Sequence, residues 1–122
     1  MFNHEELKVY FRGQFVDFKD ATISIANTGF MYGLGVFTGI RAHLNKTSGK
    51  LYLFRPDAHF DRLQFSCKLC HYNGFLENYD YPKFLGVLKE LVKINGIQED
   101  AYFRVTNFTR SEERRVGKEC LR

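Results

Sequence analysis

Three arginines that lie among apolar residues are the side chains best placed to do chemistry in this sequence: Arg41, Arg62 and Arg104. A guanidinium is planar and permanently charged, and its paired N–H donors match the oxygens of a phosphate or carboxylate. Each arginine taken alone is equally well explained as a surface residue with a buried aliphatic stem. Aromatic residues accompany them in the pattern, namely Tyr32, Phe37 and Tyr102. The set as a whole predicts a site for an anionic, partly apolar small molecule.

Two other motifs are weaker candidates for chemistry. Residues 67–71 read Cys-Lys-Leu-Cys-His, the pattern of c-type haem attachment. Both cysteines share an apolar helical stripe, where thiols usually pack as small apolar groups, and no second Cys/His pair completes a zinc site. The glycines from Gly33 to Gly39 miss the dinucleotide-binding spacing and precede a strand instead of a helix. We therefore expect no metal, no haem and no Rossmann turn.

A predicted strand over residues 36–44 positions two of the candidate residues. Alternate side chains of a strand point to opposite faces, so apolar residues and Thr38 fall on one face. The other face carries Phe37, Gly39, Arg41 and His43. A large ring, a gap and two basic groups do not suit a face that only covers a core. We expect this face to line a site.

Two helices and further strands complete the predicted framework. Pro56 opens the first helix, whose apolar stripe of Phe60, Leu63, Cys67 and Cys70 leaves Arg62 on a different face. A second helix begins at Asp80 and Pro82 and ends at Gly96. The remaining strands are a hairpin over residues 7–11 and 15–18, short pieces at 23–25 and 51–54, and a last strand at 101–109. This order predicts an α+β fold, an antiparallel sheet with two helices.

The size and charge of the chain exclude several function classes. Its 122 residues allow one domain, and 44% of them are hydrophobic, which argues against disorder. The net charge is +4, but residues 1–109 hold thirteen Lys/Arg and eleven Asp/Glu, so we expect no nucleic-acid partner. No apolar stretch reaches 18 residues and the N-terminus is not signal-like, which predicts a cytoplasmic protein without a membrane contact. Three cysteines are then expected to be reduced thiols.

Three motifs in order make the body of the chain similar to the class IV pyridoxal-phosphate aminotransferases. The pattern Y-G-x-x-V-F-E-G-I-R is matched by residues 32–41, with Thr38 in the place of the glutamate. The pattern F-R-x-x-x-H-x-x-R-L is matched by residues 54–63, and the Y-x-R strand by residues 102–104. The resemblance is closest to the branched-chain amino acid aminotransferases and runs from about residue 9 to residue 109. It implies that residues 1–109 are the small N-terminal domain of this fold, with the large domain missing.

The resemblance also implies roles for the candidate residues. Arg62 would bind the phosphate of pyridoxal 5'-phosphate. Phe37 and Gly39 would line the pocket for the substrate side chain, and Tyr102 and Arg104 would lie near the substrate carboxylate. Tyr32 would shape the pocket, in this family often that of the neighbouring subunit, so a homo-oligomer is expected for the full-length protein.

Two departures from the family pattern bear on activity. Thr38 replaces the usual glutamate, which weakens the assignment to one subgroup. The family's Schiff-base lysine lies on the large domain, and none of the nine lysines here has a matching context. The chain is therefore expected to lack a catalytic residue of its own and to be inactive alone.

The last thirteen residues differ in character from the rest. Residues 110–122 hold eight charged residues without periodicity, and residues 110–120 resemble the in-frame translation of a sequencing adapter. We expect 110–122 to be an artefactual tail and the natural protein to continue past residue 109.

The resemblance thus implies a fragment of an enzyme that exchanges an amino group between leucine, isoleucine or valine and 2-oxoglutarate. Three alternatives stay open: a D-amino acid aminotransferase, an aminodeoxychorismate lyase, and a binding module without catalytic activity.

Overall fold

In the computed structural model of this protein, which describes residues 4–108, helices and strands follow the predicted order in outline. The strands are β1 (Lys8–Phe11), β2 (Gln14–Asp17), β3 (Gly35–Asn45), β4 (Lys50–Leu53) and β5 (Ala101–Phe108). The α-helices are α1 (Thr28–Tyr32), α2 (Pro56–Leu69), α3 (Asn73–Asn78) and α4 (Tyr81–Asn95). Single 3-10 turns occupy His4–Glu6 and Phe18–Asp20. The predicted tail at 110–122 lies outside the described residues.

The N-terminal hairpin forms as predicted around Arg12 and Gly13. Their φ angles are 51° and 84°, and two successive residues with positive φ are typical of the tight turn that suits twisted antiparallel strands. The turn sets the register of β1 and β2, in which Val9 faces Val16. The side chain of Asn95 then anchors β1 to α4, because its Oδ1 accepts from Lys8 N and its Nδ2 donates to Lys8 O.

The second sheet has the strand order β4-β3-β5, and all its pairs are antiparallel. Alternation along β3 divides its side chains as predicted, with Thr38, Ile40 and Ala42 fully buried and Phe37 and Arg41 exposed. The buried face packs against α2. This sheet, and β3 above all, carries the candidate site.

Both long helices begin where the sequence signals predict, and α4 also ends where they predict. Asp80 caps α4 by accepting from Lys83 N at 2.9 Å, and Gly96 ends it with a φ of 59°. The buried residues of α2 are Phe60, Leu63 and Cys67. Together with Ile40 and residues of α3 and α4 they form the core, which includes Phe75, Phe84 and Leu88.

The structure differs from the predicted architecture in three ways. The strands form two separate sheets, because β1 packs against α4 and not on an edge of the three-stranded sheet. Residues 23–25 form no strand, since Ile23 and Ile25 are exposed and their alternation reflects no buried face. Two helices, α1 and α3, were not predicted, since five and six residues are too few to show a helical period.

The predicted stripe of α2 is wrong at its last position. Cys70 is exposed and follows the helix as its C-terminal cap, so it does not continue the stripe of Phe60, Leu63 and Cys67. The chain turns away at His71, whose φ is 59°. The apolar period of the sequence therefore continues one residue past the end of the helix.

Candidate functional site

Four of the candidate residues lie on one exposed face of β3 and β5, which we call the open face: Phe37, Gly39, Tyr102 and Arg104, together with Arg41. In the register of the two strands, Gly39 pairs with Arg104 and Arg41 pairs with Tyr102. Residues directly opposite each other in an antiparallel pair share a face. The sheet thus brings together residues that are more than sixty positions apart in the sequence.

The ring of Tyr102 lies across the backbone of Gly39. A Cβ atom added at Gly39 would be 2.7 Å from Tyr102 Cε1 and closer still to the phenol oxygen. These two residues are diagonal neighbours across the strands, within reach of an aromatic side chain. A residue without a side chain at position 39 is therefore what allows Tyr102 to lie flat on the sheet.

Arg104 stacks on the exposed ring of Phe37. Its guanidinium carbon lies 4.0 Å from the ring centroid, which is a cation–π contact. No carboxylate of the described residues pairs with Arg104 or with Arg41. A stacked guanidinium keeps its in-plane donors available, so this arrangement can receive a carboxylate next to an apolar ring.

Arg62 lies on the other side of β3, where α2 packs against the sheet. Its Nη2 donates to Thr38 Oγ1 at 2.7 Å, and the same oxygen is 3.1 Å from Nδ1 of His59. Thr38 is fully buried, whereas Arg62 itself is exposed, as its position off the buried stripe of α2 predicts. No carboxylate between residues 4 and 108 pairs with Arg62. A permanently charged donor without an acidic partner suits an anionic group such as a phosphate.

Tyr32 is separate from both groups. It ends α1, the short helix before β3, and is exposed. The N-terminal cap of this helix is the buried Asn27, which accepts from Gly29 N at 2.7 Å. Gly29 lies against Phe108, so α1 stands at the end of the sheet where β3 begins. No hydrogen bond or ring contact joins Tyr32 to the open face among the described residues.

A wide cleft beside β5 does not unite the candidate residues. It has a volume of about 1460 Å³ and runs beside β5, the edge strand, towards α4 and the hairpin. Its lining includes Tyr102 and Arg104 but none of Phe37, Gly39 and Arg62. The cleft follows the free edge of β5, whereas the candidate residues are brought together by the contacts of their side chains.

Two residues of the site were not predicted as site residues, Thr38 and His59. The sequence did contain a signal for His59, since residues three apart on a helix share a face and His59 precedes Arg62 by three. Thr38 offered no such signal. It lies on the buried face of β3, and only the packing of α2 on the sheet brings its hydroxyl to Arg62.

The cysteine motif at residues 67–71 places one thiol, Cys67, in the core and the other, Cys70, at the surface. No group of three or more His, Cys, Asp or Glu side chains between residues 4 and 108 could hold a metal ion. Burial raises the pKa of the Cys67 thiol, although Asn107 Nδ2 donates to its sulfur at 3.3 Å and acts in the opposite direction. Cys67 is thus a protonated core residue. In the same part of the chain, no helix is long and apolar enough to cross a membrane.

Known proteins match this chain over most of its length. A probable branched-chain-amino-acid aminotransferase of Synechocystis sp. is 38% identical over 96 residues, which are 78% of this chain and 30% of that protein. A putative branched-chain-amino-acid aminotransferase of Methanocaldococcus jannaschii is 36% identical over 104 residues, 81% of this chain and 31% of that protein. A D-alanine aminotransferase of Staphylococcus haemolyticus and an aminodeoxychorismate lyase of Bacillus subtilis match at 29% and 30% identity. No family model matches.

Solved structures of branched-chain aminotransferases also superpose on this chain. The branched-chain aminotransferase of Thermoproteus uzoniensis with norvaline superposes with a TM-score of 0.75 at 30% identity, covering 93% of this chain and 36% of that one. The T.th. branched-chain amino acid aminotransferase complexed with N-(5'-phosphopyridoxyl)-L-glutamate superposes with a TM-score of 0.72 at 25% identity, covering 87% and 34%. These matches confirm the predicted α+β fold of the small domain. The chain belongs to the class IV aminotransferases, and it spans about a third of the length of the branched-chain members that it matches.

Proposed function

We propose that this chain is the cofactor-covering part of a pyridoxal-phosphate-dependent branched-chain amino acid aminotransferase. The whole enzyme would exchange an amino group between leucine, isoleucine or valine and 2-oxoglutarate. The observation that carries the proposal is Arg62, an exposed guanidinium that Thr38 holds and that no carboxylate of the described residues neutralises. Bound pyridoxal 5'-phosphate supplies the aldehyde and electron-withdrawing ring on which amino-group exchange depends.

Arg62 would bind the phosphate of the cofactor. A guanidinium donates two parallel N–H bonds to a phosphate, and one Nη2 donor held by Thr38 fixes the orientation of the remaining donors. His59, beside the same hydroxyl, would help to keep this arrangement. The family pattern supports the assignment, because Arg62 stands at its phosphate-binding position.

The open face would bind the amino acid. Phe37 offers an apolar surface to an aliphatic side chain, and Gly39 would line the same pocket by letting the ring of Tyr102 lie against the strand. Arg104, stacked on Phe37, would bind the substrate carboxylate, with Tyr102 next to it. Tyr32 would complete the pocket, and in an assembled enzyme it would do so for a neighbouring subunit, which supports a homo-oligomer.

The chain alone would not transfer amino groups. All eight lysines between residues 4 and 108 are exposed, and none of them lies in β3 or β5. No described lysine is therefore placed on either strand of the open face, where a proton acceptor next to the substrate would be needed.

The domains would be 1–109, the small domain, and 110–122, the tail without function. We also propose a cytoplasmic protein that binds amino acids and 2-oxo acids but neither nucleic acid nor membrane.

A chimera tests the proposed activity. Residues 4–108 would replace the matching segment of the Synechocystis relative, and amino transfer to 2-oxoglutarate would be assayed with leucine, isoleucine, valine and D-alanine. We expect turnover with the three branched-chain substrates. Turnover with D-alanine alone would favour the D-amino acid aminotransferase, and ammonia-independent release of 4-aminobenzoate from aminodeoxychorismate would favour the lyase. A folded chimera without cofactor absorbance would favour the binding module.

Arg62→Ala in the same chimera tests the phosphate role. Loss of a charged hydrogen bond costs about 1.5–3 kcal/mol, so the dissociation constant of pyridoxal 5'-phosphate should rise roughly 10- to 100-fold. The matched control is Arg55→Ala, which removes an arginine at the start of α2 outside the Thr38 contact. Equal effects of the two substitutions would contradict the assigned role.

A further inference from the structure

The hydroxyl of Thr38 lies between two basic side chains of α2. Arg62 Nη2 is 2.7 Å and His59 Nδ1 is 3.1 Å from Oγ1, and the threonine has no exposed surface. Among residues 4–108, these two nitrogens are the hydrogen-bond partners of this oxygen. The contact joins β3 to α2 at the point where the proposed phosphate ligand leaves the helix.

The protons of the three groups can be assigned from their chemistry. A guanidinium only donates, so Thr38 Oγ1 accepts from Arg62. The single hydroxyl proton must then find an acceptor, because a buried donor without one is costly. Nδ1 of His59 is within reach, and it accepts only when the imidazole is neutral and carries its proton on Nε2. The network therefore runs from Arg62 to Thr38 to His59 in one direction.

We infer that Thr38 is a positioning residue, whose hydroxyl orients the Arg62 guanidinium towards a phosphate monoester and holds His59 as the Nε2–H tautomer. The inference rests on the proposed function, since it takes Arg62 as the phosphate ligand. A hydroxyl restricts the rotamers of Arg62 without neutralising its charge, whereas a carboxylate in the same place would compete with the phosphate for the guanidinium. Threonine in the place of the pattern's glutamate thus gives Arg62 a hydrogen-bond acceptor that carries no negative charge.

The tautomer of His59 gives the first test, and the unaltered 122-residue chain suffices for it. Nitrogen-15 chemical shifts of the imidazole distinguish Nε2–H from Nδ1–H in neutral histidine. We expect the Nε2–H form at about pH 8, where an ordinary imidazole is neutral, in buffer free of phosphate. A predominant Nδ1–H form would overturn the inference, whatever the affinity of the chain for phosphate.

Two substitutions at Thr38 give the second test. Thr38→Val keeps the shape of the side chain and removes the hydroxyl, whereas Thr38→Ser keeps the hydroxyl. We expect the valine variant to lose the preference for the Nε2–H tautomer, to increase the mobility of Arg62 Nε–H in relaxation measurements, and to bind pyridoxine 5'-phosphate about three- to tenfold more weakly. The serine variant should restore all three properties.

The outcomes separate this inference from the proposed function. If Arg62 Nε–H were no more mobile in Thr38→Val than in the unaltered chain, the positioning role of Thr38 would be overturned. The phosphate role of Arg62 would remain intact. Unchanged affinity for pyridoxine 5'-phosphate in Arg62→Ala, with unphosphorylated pyridoxine as the reference ligand, would overturn the phosphate role. The tautomer and the mobility of Arg62 would still decide the role of Thr38.

Discussion

At the scale of single residues, the open face depends on the absence of one side chain. Gly39 has an ordinary β-strand backbone, so its glycine is not needed for an unusual φ angle. It is needed because the ring of Tyr102 covers it. The same close approach holds the phenol near the stacked pair of Arg104 and Phe37.

Gly39→Ala should therefore displace Tyr102 and leave the fold intact. The clashing atoms belong to the far end of a side chain that is 58% exposed, so the ring can swing away at a cost of about 1 kcal/mol or less. Nuclear Overhauser effects between the ring and residue 39 should disappear. Gly74→Ala is the control, because a Cβ there meets no atom within 4 Å. A ring that stays in place would contradict the description of the open face.

The two described cysteines should differ in reactivity. Cys67 is buried and its thiol pKa is raised by burial, whereas Cys70 is exposed at the end of α2. Since the thiolate is the reactive form, an alkylating reagent should modify Cys70 first and Cys67 only after unfolding. Peptide mapping by mass spectrometry follows each site. Equal rates in the native chain would place Cys67 outside the core.

At the scale of elements, the caps of the long helices are local and could be predicted. Pro56 and Asp80 mark helix starts by chemistry that acts within one turn, and Gly96 marks an end in the same way. The position of the hairpin could not be predicted. It depends on Asn95 and on a contact between Tyr10 of β1 and Tyr79 after α3, whose hydroxyl oxygens are 2.8 Å apart.

The contact between Tyr10 and Tyr79 should make the free energy of unfolding decrease at alkaline pH. Burial, and then the hydrogen bond to Tyr10, raises the pKa of Tyr79 to about 12. In the unfolded chain a tyrosine loses its proton near pH 10, so between about pH 10 and 12 the folded state holds a proton that the unfolded state has lost. The free energy of unfolding should be unaffected by this group below about pH 10 and fall above it.

Urea titrations from about pH 8 to 11.5, a range that brackets the ordinary tyrosine pKa, would measure this dependence, with Tyr79→Phe as the comparison. The substitution removes the titrating hydroxyl, so the variant should lose less stability over the alkaline range than the unaltered chain. If the free energies of unfolding of the two proteins fell in parallel with pH, Tyr79 would be as accessible to solvent in the folded chain as in the unfolded one.

At the scale of the whole molecule, the described chain exposes large apolar side chains in and beside α1 and on the open face. Phe30, Met31 and Tyr32 of α1 and Leu34 just after it are more than half exposed, and Phe37 and Tyr102 lie on the open face. Such patches are typical of surfaces that another domain or subunit covers. The chain spans about a third of the length of the relatives that it matches.

The purified chain should therefore self-associate. Light scattering should give a mean mass that rises with concentration, and Tyr32→Ser with Phe30→Ser should reduce this rise. The melting temperature should barely change in that double variant, because both side chains are exposed. A chain that stays monomeric and melts cooperatively would contradict the exposure of this surface.

The sequence by itself determined the elements and the candidate residues on them. Alternation along β3 separates Phe37 and Arg41 from the core, caps place α2 and α4, and three short motifs identify the family, because all of these signals are local along the chain. Only the tertiary structure decided which residues meet. The register of β3 and β5 places Tyr102 over Gly39 and Arg104 on Phe37, and the packing of α2 brings Arg62 and His59 to Thr38. Contacts between distant segments depend on how side chains fill the space between elements, and no local pattern encodes that.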